Sequence, residues 1–159
     1  MNPKALNLIS ALIHQGADHE TIVNHLYRTK TVGLLKLWGH VLNSLQSDKQ
    51  LSLAWSLIPA SVFQTTGTSR AELGDLMGEI LNHSSEAKTV ALIIEGLSNP
   101  GDIDIEISTK PPLHAKDLMK DFQPVGGERI ATAVLKNSSL KDAEDRLIPM
   151  IKKRLPLLK

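Results

Sequence analysis

The chain has 159 residues, 42% of them apolar and 22% charged, with a formal net charge of +1. This is the composition of a globular protein with a true core, and with Tyr27, Trp38, Trp55, Phe63 and Phe122 as its aromatic residues that core is built from Leu, Ile, Val and Ala. The near-neutral charge excludes a broad basic field for non-specific nucleic-acid binding, though not a pocket for one or a few phosphates.

No cysteine is present, so disulfides, thiolate chemistry and Cys-ligated zinc are excluded, which suits a cytosolic protein. No apolar run approaches the roughly 20 residues that span a bilayer. The segment 1–13 reads as an amphipathic helix rather than a signal peptide.

The first third is helical by its spacing. Leu6, Ile9, Leu12 and Ile13 recur on one face, Gly16 stops that helix, and Asp18 caps the next. Ile22, Val23, Leu26 and Tyr27 line the second helix. Thr31 opens a third, in which Leu34, Leu35, Leu37, Trp38, Val41, Leu42 and Leu45 form a broad apolar face with contacts on more than one side. The polar stretch 46–50 reads as a linker.

Leu51, Leu53, Trp55 and Leu57 alternate with smaller residues, as in a strand that Pro59 ends. Thr68 or Ser69 caps a helix over 70–81. The continuous apolar run 90–94 predicts a central strand buried on both faces. Asn99-Pro100-Gly101 is a turn. Ile103, Ile105 and Ile107 then alternate with Asp104, Glu106 and Ser108, the clearest half-buried strand in the sequence. After Pro111-Pro112, residues 113–122 read as a helix. Gly126-Gly127 opens a short helical element carrying Ile130, Ala131 and Ala133, with one more strand at 134–136. Ser138 or Ser139 caps a last helix bearing Leu147, Ile148, Ile151 and Leu155, whose Lys152, Lys153 and Arg154 suit its carboxyl end.

These pieces, in this order, resemble part of a DHH-superfamily phosphoesterase of the nanoRNase/pAp-phosphatase type. Residues 4–45, beginning KALNLISALIHQGADHETIVNHLYRTK, resemble the last helices of the DHH catalytic domain and the helix leading out of it. The succession of a strand, TTGTS, a helix, an apolar strand, IDIEISTK, a helix ending in DF, a glycine loop and a last helix resembles the DHH-associated domain. The resemblance implies a helical segment over 1–46 and a substrate-binding domain over 47–159. It also implies a catalytic half before Met1 that holds Mn or Mg in a set of Asp and His residues and hydrolyses nucleotide phosphates or short oligonucleotides. Neither an Asp-His-His triplet nor the remaining metal ligands occur in this sequence, so this chain by itself is expected to hold no metal and to hydrolyse nothing.

The resemblance places two substrate signatures. The first falls on Glu106-Ile107-Ser108-Thr109 followed by Lys110, with Ser108 where the family carries Arg. The second falls on the glycine loop Gly126-Gly127-Glu128-Arg129, with Glu128 where the family carries His. Arg grips phosphate in a paired hydrogen bond that Ser cannot make, and Glu128 adds negative charge, for which Arg129 compensates. Gly126 and Gly127 let backbone N–H groups approach an anion at a helix start, against the plainer reading of a tight turn. Arg129 and Lys110 are phosphate ligands or solvated cations.

Other motifs carry less. The two His of HETIVNH are six apart and share no helix face, unlike a zinc-binding H-E-x-x-H. His83 and His114 read as surface or capping residues, and Asp102, Asp104 and Glu106 as a solvent-exposed strand edge.

The expected fold is α/β, a small mixed sheet flanked by helices and preceded by a helical segment. The expected function is recognition of a nucleotide or short-oligonucleotide phosphate within a two-domain phosphoesterase. The alternative is a non-enzymatic binding or assembly module with a degenerate phosphate site. The partners expected are the missing catalytic domain and a second copy paired through the amino-terminal helices, with no membrane.

Overall fold

The computed structural model describes residues 3–18, 20, 30–96 and 99–157. The chain clusters into two compact units, Met1–Val32 and Gly33–Lys159.

In the first unit, α1 runs over Pro3–His14. Gly16 ends it at φ +88°, with Gly16 N–H bonded to Ile13 O and Ala17 N–H to Leu12 O. This is a Schellman closure, which needs a left-handed residue and so favours glycine. Asp18 Oδ1 then accepts the Glu20 N–H at 3.0 Å, as an N-cap does. The second expected helix, at 22–27, lies outside the described residues.

The second unit holds α2 (Val32–Asn43, whose first residue is counted with the first unit), β1 (Gln46–Asp48), β2 (Leu53–Ile58) and α3 (Ala60–Thr66). A 3-10 turn, Arg70–Leu73, leads into α4 (Gly74–His83), followed by β3 (Thr89–Glu95) and β4 (Ile103–Thr109). Then come α5 (Ala115–Leu118), a 3-10 turn at Lys120–Phe122, β5 (Val125–Gly126), β6 (Ile130–Leu135) and α6 (Leu140–Arg154). The strands form one six-stranded sheet in the order β1-β2-β3-β4-β6-β5. Among these strands only β2 and β3 run parallel. That pair needs a crossover, which α3 and α4 supply. The α/β fold and its small mixed sheet are as the sequence implies.

Period-two alternation sends side chains to opposite faces. Leu53, Trp55, Ala91, Ile93, Ile105, Ile107, Ala131 and Ala133 pack under α5 and α6 against Leu118, Ala143, Leu147 and Ile151. Ala54, Ile58, Val90, Leu92 and Ile94 pack against Leu37, Phe63, Leu76 and Met77 of α2, α3 and α4. The run 90–94 feeds both cores, which is why it shows no alternation.

Three local expectations are corrected. The polar stretch 46–50 contains the edge strand β1, held because Glu144 of α6 accepts hydrogen bonds from Gln46 Nε2 (2.9 Å) and Trp55 Nε1 (2.8 Å). The helix expected over 113–122 is two short turns separated at Met119 (φ −109°). The element after Gly126-Gly127 is not helical. It is strand β6, in which Ala131, Ala133 and Leu135 are buried while Ile130 and Val134 are exposed. Alanine favours helix intrinsically, but full-length pairing of β6 with β4 decides the conformation. The final helix is capped as expected. Ser139 and Asp142 form a reciprocal capping box, and the Ser139 hydroxyl holds the Asp142 carboxyl below its usual range.

Candidate functional site

The two segments expected to carry the ligand meet at the end of β4. Ser108 pairs with Ile130 across the β4–β6 ladder, and Thr109 N–H donates to Arg129 O at 2.9 Å. Glu128 O accepts from Ala115 N–H at 2.6 Å, so the β5–β6 turn is clamped between the end of β4 and the start of α5.

Within that junction the side chains divide. Ser108 and Thr109 are buried, and the Thr109 hydroxyl donates to Leu113 O at 2.9 Å. Lys110 turns toward the end of α4, where its Nζ donates to Ser84 O at 3.3 Å. Glu128 and Arg129 are exposed.

The glycines serve the hairpin. Gly126 has φ +124°, and a Cβ there would lie 2.6 Å from Ile130 O. Gly127 N–H donates to Ile130 O at 2.8 Å and is therefore not turned outward. The loop opens a strand, so the helix dipole invoked for an anion at a helix start does not operate here.

A small cavity of about 60 Å³ lies beside the turn, lined by Pro111, Pro112, Leu113, His114, Glu128 and Arg129. It is far below the roughly 300 Å³ of an ordinary ligand pocket and has room for one small anion. His114 borders it. The sequence gives no signal for this, because His114 reaches the turn only through the Pro111-Pro112 break and the Ala115–Glu128 hydrogen bond.

A second feature is the open half of the sheet. On the α4 side, helices cover β2 and β3, whereas β4 and β6 present Asp104, Glu106, Ile130 and Val134 there. β4 is an inner strand and its acids are half-buried, which corrects the reading of them as a solvent-exposed edge. Arg70 reaches over from the 3-10 turn to Asp104 Oδ2 at 2.6 Å and to Glu106 Oε2 at 3.9 Å. Burial pushes the Glu106 carboxyl up; Arg70 opposes this and Asp104 adds to it. Beside these groups is a cavity of about 310 Å³, lined in part by Arg70, Asn99, Asp102 and Asp104.

Among the described residues no group of three or more His, Asp or Glu could hold a metal ion, and no helix is long and apolar enough to cross a membrane.

No protein-family profile matches the chain, and no curated protein matches it. Solved structures do. An exopolyphosphatase-related protein from Bacteroides fragilis superposes with a TM-score of 0.79 at 18% identity, over 99% of this chain and 45% of that one. A pGpG-specific phosphodiesterase from Vibrio cholerae superposes with a TM-score of 0.58 at 13% identity, over 97% of this chain and 52% of that one. The chain thus has a fold found in phosphoesterase-related proteins and spans about half their length.

Proposed function

We propose that this chain is the substrate-recognition part of a phosphoesterase and that its ligand is the phosphate of a nucleotide or short oligonucleotide. The observation that supports this most is the likeness in fold over 99% of the chain to an exopolyphosphatase-related protein of about twice its length. In this reading a separate catalytic half, with Mn or Mg held by Asp and His, hydrolyses the ester. Residues 1–46 lead out of that half, and residues 47–159 close over the substrate. Closure supplies orientation and excludes water.

The contacts on this side are few. Arg129 brings a guanidinium to the turn, the backbone N–H groups after Gly127 add donors, and His114 borders the space. Ser108 and Thr109 shape the junction rather than touch the ligand, Lys110 turns away to Ser84 O, and Glu128 borders the space beside Arg129. Affinity is then on the order of millimolar, since one charge and a few amides barely exceed the cost of association.

An NMR titration with pAp or a 5′-phosphorylated dinucleotide tests this. Shifts at 126–130, 108–110 and His114 that are lost in Arg129→Ala are expected. No turnover of either ligand is expected from this chain with Mn. Unchanged shifts at these residues at several millimolar would instead favour an assembly module, paired with a second copy through the amino-terminal helices. The specific observation on that side is the negative charge of Glu128 at the turn, which repels phosphate.

A further inference from the structure

We infer that the groove between the end of α6 and the Lys120–Phe122 turn is a separate anion site for linear phosphate chains. Helical spacing places Arg146, Met150 and Lys153 along one side of α6, with Arg154 beside them. The 3-10 turn faces them, with Arg146 6.0 Å from the centroid of the Phe122 ring. Between them lies a cavity of about 440 Å³, lined by Lys120, Asp121, Pro149, Met150, Lys153 and Arg154. It is far roomier than the cavity of about 60 Å³ beside Arg129.

The charge is one-sided. Three cations face one carboxylate, and that carboxylate is engaged by Arg154. Arg154 is held in place. Its Nη1 donates to Leu118 O at 3.0 Å and lies 3.3 Å from the Met150 sulfur, while Nη2 bonds Asp121. Lys120 and Lys153 are exposed and have no ion-pair partner among the described residues. The carboxyl end of α6 contributes about half a negative charge, less than the surplus of cations.

Exposed lysines gain little from a single monovalent anion, because water screens each pair. A chain of successive phosphates meets Lys120, Arg154 and Lys153 together and releases several counterions at once. The ligand class is therefore an oligophosphate or phosphodiester with at least two phosphates. Pro149 and Met150 in the lining give a nucleobase an apolar contact. None of this depends on Arg129 binding a ligand.

The test is an NMR titration of the whole chain with tripolyphosphate and, separately, a 5′-phosphorylated dinucleotide, at low and physiological salt. Saturating shifts at Lys120, Asp121, Lys153 and Arg154 are expected, weaker at higher salt and unchanged in Arg129→Ala. Lys120→Glu with Lys153→Glu should weaken binding by about tenfold or more, and the Lys→Gln pair by less, if charge is the cause. Binding of tripolyphosphate alone would assign the site to inorganic phosphate chains. Tighter dinucleotide binding, with the Met150 methyl shifted, would assign it to nucleotides. The inference is overturned if neither ligand shifts these residues at several millimolar, if the Lys→Glu pair leaves binding intact, or if orthophosphate binds as well as tripolyphosphate.

Discussion

Replacing Glu144 by Ala tests how the edge of the sheet is held. Glu144 is buried on α6 and accepts from Trp55 Nε1 at 2.8 Å, Gln46 Nε2 at 2.9 Å and Lys141 Nζ at 3.0 Å. The first of these dominates. A hydrogen bond to a charged acceptor contributes about 1.5–3 kcal/mol, and an orphaned buried donor costs about 1–3 kcal/mol. Trp55 is only 8% exposed, so its N–H finds no ready water when the carboxylate goes. The Lys141 contact is at the surface and adds little. The expected loss is about 2–3 kcal/mol, or roughly 1 M in the urea midpoint at an m-value of about 2 kcal/mol/M. Tryptophan fluorescence reports the transition, since Trp55 is itself one of the two indoles.

A double-mutant cycle with Trp55→Phe isolates the pair, with an expected coupling of about 1–2 kcal/mol. The pH dependence has a definite sign. Burial alone pushes the Glu144 carboxyl up, but the bonds from Trp55, Lys141 and Gln46 outweigh it, and the net shift is downward. A carboxylate held down in the fold contributes stability above its unfolded value of about 4.3, and that stability is lost as pH falls through the folded value. The gap between the native chain and Glu144→Gln should thus be widest at neutral pH and close below about pH 4. A loss under about 0.5 kcal/mol for Glu144→Ala, or an additive cycle, would refute the reasoning.

Glu106 should behave in the opposite sense. Burial raises its carboxyl in the fold, so its ionisation weakens stability as pH rises, and Glu106→Gln should be more stable than the native chain at about pH 7 and equal to it near about pH 4. A variant less stable at neutral pH would mean that the Arg70 contact outweighs desolvation. Two glycines of α2 should diverge. A Cβ at Gly33 would lie 2.3 Å from Thr66 O, so Gly33→Ala should lower the urea midpoint sharply. Gly39 has nothing within 4 Å, so Gly39→Ala should raise stability by about 0.5–1 kcal/mol, and equal effects at both sites would contradict the packing of α2.

Elements with an unambiguous local pattern were legible in the residues alone. The Ile103, Ile105, Ile107 alternation is β4, the run 90–94 lies in the central strand β3, and Ser139 caps the last helix. These are local signals, in which periodicity or a cap acts over a few residues. The order of pieces also led to the junction of β4 with the 126–130 turn, which the fold does bring together. Tertiary pairing decided the rest. Ala131 and Ala133 carry no strand preference and become strand because β4 offers an unpaired edge. Gln46–Asp48 looks like linker, yet it extends the sheet because Glu144, 98 residues after Gln46, holds it there. Which of the predicted ligand residues still faces solvent was likewise beyond sequence reading. Thr109 ends β4 and Lys110 follows it, and only the fold shows their polar atoms bonded to Leu113 O and Ser84 O while Arg129 stays exposed.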